Sequence, residues 1–118
     1  MDLNEMIGRL RKHPRAEKIG MIASHLGVVR GTSRNGRRVK GIQVFYDHDA
    51  IKNITKDISM LPGIIDVLVN TAEGELKVGD EILAVAVAGD IREHVFPALI
   101  EAVNRIKKEA SKKVESFS

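Results

Sequence analysis

The chain has 118 residues, of which 43% are hydrophobic and 30% charged, and this composition suits one domain with a packed core. Aromatic residues make up only 3%, so the core must consist mainly of aliphatic side chains. The absence of cysteine excludes disulfides, thiolate metal sites and a cysteine nucleophile. The formal net charge of +3 favours an anionic partner wherever the basic residues cluster.

No apolar run near the start is long enough for a signal peptide, and no later segment is long and apolar enough for a membrane span. We therefore expect a cytoplasmic protein without a membrane partner. Since the net charge is small, function depends on where the basic residues lie rather than on their number.

The apolar pattern of the first half predicts the order helix, strand, strand, helix. The predicted elements are a helix that starts near Leu3 and ends before His13 and Pro14, strands over 18–30 and 39–47, and an amphipathic helix over 48–61. The glycine-rich, basic segment between the two strands predicts a loop. Ile42, Val44 and Tyr46 share one face of the second strand, which we expect to be buried.

The second half predicts two further strands and a last helix. Residues 64–71 and 81–88 are nearly continuous apolar runs, which are typical of strands buried on both faces. Asp90 is the expected N-cap of the last helix, with Glu93 as its capping-box partner. Pro97 should kink this helix or delay its start. The resulting order, α-β-β-α-β-β-α with a mostly antiparallel sheet, indicates the α+β class.

The last helix has a predicted inward stripe, and its end is rich in lysine. The stripe consists of Val95, Leu99, Val103 and Ile106. Residues 107–118 carry four lysines and predict a solvated helix end, where the helix dipole favours cations. The same field favours the charged form of lysine, so a reactive neutral amine there would need burial.

His48 lies between Asp47 and Asp49, an arrangement that is compatible with a metal site. However, the three residues lie at the start of a predicted helix, where aspartate is favoured as a cap and in the first turn. No further cluster of ligands occurs at a recognisable spacing. We therefore interpret this motif as a helix cap and predict no metal. The other histidines are scattered, without a recognisable catalytic motif.

The loop after the first strand carries a cluster of basic residues, namely Arg30, Arg34, Arg37, Arg38 and Lys40. Guanidinium groups bind phosphate and carboxylate in a bidentate manner, and the loop glycines permit close backbone approach. A solvated hairpin tip is the alternative interpretation. The loop does not favour nucleic-acid binding, because no stacking aromatic residue lies among the arginines.

Residues 74–96, GELKVGDEILAVAVAGDIREHVF, resemble the large subunit of molybdopterin synthase. Gly27–Arg30 is similar to that family's G-x-V-R at the end of an early strand. Ile106 and Lys107 occupy the place of a leucine-lysine pair, fifteen residues after Arg92. The resemblance extends from about residue 19 to residue 115.

This resemblance implies an α/β hammerhead-like fold in a single domain over residues 1–118, with homodimers inside a heterotetramer. It implies sulfur transfer from a thiocarboxylated, ubiquitin-like small carrier subunit to cyclic pyranopterin monophosphate, which forms molybdopterin. The implied partners are therefore the carrier and the pterin. No resident cofactor is implied.

The resemblance also assigns roles to individual residues. Lys107 matches an essential lysine, and Arg30 and Arg92 match arginines of an anionic pocket. Arg37 and Arg38 are further candidates for the pterin phosphate. The family's second lysine falls seven residues after the first, at Val114 here, so the neighbouring Lys113 is the candidate for that role.

Two histidine-arginine pairs of the family are replaced here, by Ile91-Arg92 and by Thr71-Ala72. These departures leave two interpretations open. The chain is either an active synthase subunit or a non-catalytic dimeric module that holds a carrier protein or a pterin without converting it. A third interpretation gives the arginine loop an independent role in binding anions or nucleic acid.

Overall fold

Three α-helices and two three-stranded antiparallel sheets make up the structure, a computed structural model that describes residues 1–118. The helices are α1 (Leu3–Arg11), α2 (His48–Ser59) and α3 (Arg92–Arg105). The strands are β1 (Met21–Val28), β2 (Val39–Tyr46), β3 (Ile64–Thr71), β4 (Gly74–Lys77), β5 (Glu81–Gly89) and β6 (Ser111–Phe117). A 3₁₀ turn (Ala16–Lys18) precedes β1, and a π-helical turn (Ile106–Ala110) follows α3.

The first sheet has the order β1-β5-β3, and its central strand is buried on both faces, as predicted. The same prediction is wrong for β3, which lies at the edge of the sheet and is only partly buried. On one face, Val85 and Val87 pack with side chains of α2 and α3 in the main core. On the other face, three alanines of β5 pack against Met6 and Leu10 of α1. Small side chains there let α1 lie close to the sheet, so the alternation of valine and alanine sets the layer order of the domain.

The second sheet has the order β4-β2-β6 and a smaller core of its own. Ile42 and Val44 of β2 are buried in it with Val29 and Val39, and Tyr46 packs at its edge. The predicted inward face of β2 is therefore confirmed. The α+β class and the antiparallel pairing are confirmed as well.

Two strands were absent from the predicted order. The short strand β4 lies inside a segment predicted as a connection and pairs with residues 41–44 of β2. Strand β6 replaces the predicted solvated helix end and pairs with β2 along almost its whole length. Neither segment has an apolar run, because backbone hydrogen bonds to β2 rather than a buried side-chain face stabilise both.

The start of α3 also differs from the prediction. Ile91 occupies the N-cap position without any side-chain cap. Asp90 instead accepts hydrogen bonds from the backbone N–H of Ile91 and from Nδ1 of His94, both at 2.7 Å, and Glu93 pairs with Arg92 at 3.5 Å. The capping-box prediction is therefore wrong, because the imidazole takes the carboxylate that would have capped the helix.

Pro97 lies inside α3, which begins at Arg92, so of the two expected effects, a kink or a delayed start, the delay does not occur. The backbone N–H groups of His94 and Val95 already bond to the carbonyl of Ile91 at 3.1 and 3.0 Å. The first turn is thus closed before the proline, which removes only its own donor from the ladder. The inward stripe is confirmed, since Val95 and Ile106 are fully buried and Leu99 and Val103 pack against the main core.

Helix α2 agrees with its sequence pattern. The side chain of Asp47 accepts a hydrogen bond from the backbone N–H of Ala50 at 3.1 Å, which confirms the capping interpretation. Ile51, Ile54 and Ile58 are buried against the first sheet. No helix of the structure combines the length and the apolar character that crossing a membrane requires.

Candidate functional site

A cavity of about 540 Å³ lies where the end of β1, strands β2 and β6 and the π-helical turn meet. Its floor is apolar and includes Val29, Ile42 and Val44 of the small core. Its titratable lining residues are His25, Arg30, Arg34, Tyr46, Lys107, Lys113 and Glu115. The cavity therefore combines an apolar base with a polar, mostly cationic wall, which is the usual composition of a small-molecule site.

Lys107 reaches this cavity from the π-helical turn that ends α3. The preceding residue, Ile106, is fully buried and anchors the turn in the main core. Arg105 donates one hydrogen bond to Asp57 on α2 at 2.9 Å and two to Glu109 within the turn, at 2.8 and 3.2 Å. Local π-helical geometry is frequent at functional sites, and here it changes the direction of the chain just where the lysine meets the cavity.

Lys113 lines the same cavity, but from a strand rather than from a helix end. Side chains alternate along a strand, so Ser111, Lys113 and Glu115 lie on the cavity face of β6. Val114 lies on the opposite face and is 67% exposed. A lysine moved by one position along β6 would therefore face solvent instead of the cavity. Lys113 is at a position that faces the cavity.

Arg30 and Arg34 are the two loop arginines that line the cavity. Both also line a neighbouring shallow cavity of about 290 Å³, together with Lys113 and Glu115. Arg30 was singled out from the sequence, whereas Arg34 was noted in the basic cluster but not selected. The pairing of residue 32 with residue 38 closes the loop. Only in this closed conformation does Arg34 differ in position from the other basic residues of the loop.

The remaining selected arginines lie outside the main cavity. The guanidinium of Arg37 stacks 3.9 Å from the ring centroid of Phe117 and fixes the loop against β6. Arg38 pairs with Thr32, and its carbonyl accepts a hydrogen bond from the N–H of Ser118. Arg92 lies at the start of α3, paired with Glu93. The structure thus brings together Lys107, Lys113 and Arg30, but not these three arginines.

Two further side chains of the cavity were not selected from the sequence. The Nε2 atom of His25 is buried without a hydrogen-bond partner, and burial, reinforced by the charge of Lys107, lowers the pKa of His25. Burial and the carboxylate of Glu73 raise the pKa of Tyr46 to about 12. A signal for His25 existed: it lies on the first strand, two residues before Gly27 and hence on the same face.

The charges of the lining indicate the ligand. Arg30, Arg34, Lys107 and Lys113 bring four cationic groups to the cavity, against the single carboxylate of Glu115. An excess of cations around an apolar base attracts an anionic ligand and strengthens its hydrogen bonds, since water is partly excluded. The arrangement can bind a phosphate or carboxylate, and it can offer a lysine amine to an electrophile.

Comparison with known proteins gives a family match over most of the chain. Residues 1–109 match the family model described as MoaE protein. Molybdopterin cofactor biosynthesis protein E from Burkholderia multivorans ATCC 17616 is 26% identical with a TM-score of 0.77, and the alignment covers 100% of this chain and 86% of that chain. No curated protein sequence matches.

Two further solved structures share the fold. Molybdopterin synthase from Staphylococcus aureus is 21% identical with a TM-score of 0.75, covering 86% of this chain and 77% of that chain. A complex of subunits 1 and 2 of molybdopterin-converting factor from Helicobacter pylori 26695 is 16% identical with a TM-score of 0.66, covering 99% and 80%. Because the family model spans nearly the whole sequence, the chain belongs to the MoaE protein family, and the resemblance to the large subunit of molybdopterin synthase is confirmed.

Proposed function

We propose that this chain is the large, catalytic subunit of a molybdopterin synthase and acts in molybdenum cofactor biosynthesis. In this proposal, sulfur passes from the thiocarboxylate of a small carrier subunit to cyclic pyranopterin monophosphate. The observation that carries the proposal is the convergence of Lys107, Lys113 and Arg30 on one cavity, although they come from opposite ends of the chain.

Arg30 and Arg34 are the proposed phosphate-binding residues. Guanidinium groups match the geometry of phosphate oxygens better than a lysine ammonium does. Both arginines lie at the junction of the main and shallow cavities, where a phosphate can contact them while the pterin ring occupies the apolar base. Arg37 is engaged with Phe117, so its proposed contribution is to hold the loop rather than to contact the substrate.

Lys107 is the proposed residue at the carbonyl carbon of the carrier's thiocarboxylate, with Lys113 as a second cation. An ammonium close to the carbonyl oxygen stabilises the negative charge that develops there during acyl transfer. The two lysines are held by different elements, the π-helical turn and β6. One can therefore react while the other binds the oxyanion.

The proposed partners are a ubiquitin-like small subunit and a second copy of this chain. The related Helicobacter pylori structure is a complex of two subunits of a molybdopterin-converting factor, which supports a small-subunit partner. Large exposed apolar side chains support a homodimer within a heterotetramer; examples are Met60 at 75%, Ile100 at 61% and Phe45 at 54% exposed. A monomer by light scattering at micromolar concentration would contradict the dimer.

A single-turnover assay tests the function. Purified protein is mixed with a thiocarboxylated carrier and cyclic pyranopterin monophosphate, and molybdopterin is quantified. We expect product from the wild type and a loss of at least about 10²-fold in Lys107→Ala, because an amine that contacts the reacting carbonyl is removed. Lys108→Ala is the matched control, since this neighbouring lysine does not line the cavity. Absence of product with reagents that a known synthase converts would contradict the proposal.

A non-catalytic binding module is the second candidate, and one observation favours it. The family's histidine at the start of the last helix is Ile91 here, which is 48% exposed and provides no cap. This candidate predicts saturable binding of the carrier or the pterin without product. Binding of nucleic acid by the arginine loop would instead weaken steeply with salt.

A further inference from the structure

His25 occupies a space in the cavity wall that Gly27 leaves open. Both residues lie on the same face of β1 and line the cavity. A Cβ atom at position 27 would lie 3.2 Å from Nε2 of His25 and 3.2 Å from Cγ2 of Ile82. The imidazole therefore extends along the strand over the glycine, toward the end of β1 from which Arg30 follows.

The Nε2 atom of this ring is buried and has no hydrogen-bond partner in the protein. Buried polar atoms in folded proteins are nearly always hydrogen-bonded, so an unpaired one next to a cavity indicates a partner among the groups that act there. The charge of Lys107 acts on this imidazole across the cavity. His25, with its unpaired Nε2 atom, and the candidate reactive lysine Lys107 therefore line the same cavity.

Burial, and to a lesser degree the charge of Lys107, lowers the pKa of His25, so its imidazole is neutral at neutral pH. A neutral imidazole carries a lone pair on one ring nitrogen and can accept a proton there. Lysine in its ammonium form has no lone pair and cannot react with an acyl carbon. The cavity thus holds a nucleophile that must lose a proton and a base that can take one.

We propose that His25 is the proton acceptor for Lys107 in the sulfur-transfer reaction. This inference rests on the proposed function, whose reacting lysine it concerns. An N–H bond of the Lys107 ammonium breaks and its electron pair stays on Nζ, while a new N–H bond forms at Nε2 of His25. The summed charge of the two side chains is unchanged. The amine lone pair then forms a C–N bond to the carbonyl carbon of the carrier's thiocarboxylate, and the C–S bond breaks. Its electron pair leaves with the sulfur, which takes one amine proton and passes to the pterin. Water then cleaves the C–N bond, which releases the carrier as a carboxylate and returns the lysine.

The other titratable groups of the cavity are less suited to this role. Arg30, Arg34 and Lys113 are cations and have no free lone pair. Tyr46, with its pKa of about 12, keeps its own proton at neutral pH. Glu115 also lines the shallow cavity with Arg30, Arg34 and Lys113, and neither His25 nor Lys107 lines that cavity. His25 is the remaining group that faces the cavity and can accept a proton.

The first test is the pH dependence of single-turnover product formation in the wild type, His25→Phe and His25→Gln. We expect the wild-type rate to fall as the pH decreases through the lowered pKa of His25. Both variants should be about 10²-fold slower at neutral pH, a value typical of general acid–base assistance, and should lack that acidic limb. His13→Gln is the matched control, because His13 lies outside the cavity. If a His25 variant had the wild-type rate and the same decrease in rate at acidic pH, the inference would be overturned and the proposed function would stay intact.

A second measurement does not require turnover. The rate at which an acylating reagent labels Lys107 is compared with that of Lys108 in the same molecule by mass spectrometry. We expect labelling of Lys107 to slow in His25→Phe while Lys108 is unaffected. A purely structural role predicts the opposite change, since an apolar neighbour disfavours the ammonium and speeds labelling. Unchanged or faster labelling would overturn the inference. If the wild type forms no product but the labelling effect is present, the proposed function fails and the assignment of His25 as the base for Lys107 stands.

Discussion

Strands β5 and β6 are both essential to the architecture but are encoded in different ways. In β5, residues 83–89 are all buried, and the strand lies at the centre of the main sheet. In β6, no residue is buried, and the strand carries two lysines and a glutamate at the edge of the second sheet. The buried strand contributes the core, whereas the exposed edge strand contributes Lys113 and Glu115 to the cavity. The main core and this part of the cavity wall therefore lie on different strands.

Introducing the same charge into both strands is the strongest test of this contrast. Val85→Asp places a carboxylate where the side chain is 0% exposed, without a partner. We expect a loss of about 3–5 kcal/mol in the free energy of unfolding, the usual cost of an uncompensated buried charge. Val114→Asp on the exposed face of β6 should change it by less than about 0.5 kcal/mol. Urea unfolding of both variants measures the difference, and comparable losses would contradict the contrast.

Moving the second lysine by one residue tests whether β6 controls the chemistry through its register. In the double variant Lys113→Val with Val114→Lys, the amine moves to the solvent face of the strand although the composition is unchanged. We expect product formation in the single-turnover assay to fall by about 10²-fold, comparable to the loss of an oxyanion donor. The single variant Val114→Lys should retain the wild-type rate. Full activity of the double variant would mean that the strand can slip or that Lys113 has no role.

Removing the ring of Phe117 tests how β6 is held in place. The ring packs on the small core and receives the guanidinium of Arg37 at 3.9 Å. We expect Phe117→Ala to lower the free energy of unfolding by about 1 kcal/mol, partly through the lost cation–π contact. Hydrogen exchange of β6 amides should speed up while β5 amides stay protected. Arg37→Gln, which keeps the ring, should show a smaller effect in the same direction.

The contrast between β5 and β6 also explains what could be predicted from the sequence. The valines and alanines of β5 and the isoleucines of α2 repeat with the period of their element, so their elements and burial were predicted. Strand β6 has no such pattern, because its pairing with β2 depends on a distant segment. Lys107 and Arg30 were selected through their motifs. The alternation along β1 places His25 on the same face as Gly27, but it does not show that this face lines a cavity. His25 and Arg34 became evident as site residues once β1, the loop and the π-helical turn were assembled.

The smallest expected effect concerns the link between the second sheet and the rest of the domain. Glu73 accepts hydrogen bonds from the backbone N–H of Tyr46 at 2.7 Å and from His48 at 3.0 Å. These hydrogen bonds, first that of Tyr46 and then that of His48, lower the pKa of Glu73. A carboxyl whose folded-state pKa is depressed stabilises the protein above its unfolded value, near 4.3, and loses this contribution as the pH falls through the lower, folded value.

Glu73→Gln should therefore reduce stability slightly at neutral pH and should flatten the decrease in stability below about pH 4.3. The wild type and the variant are compared by urea unfolding across the acidic range, with Glu75→Gln as the control, since Glu75 is an exposed glutamate on the neighbouring strand β4. If the free energies of unfolding of the wild type and the variant differ by the same amount at every pH, Glu73 acts through packing alone. A pH-dependent difference would mean that protonation of Glu73 weakens its hydrogen bonds at the end of β2, where Tyr46 lines the cavity.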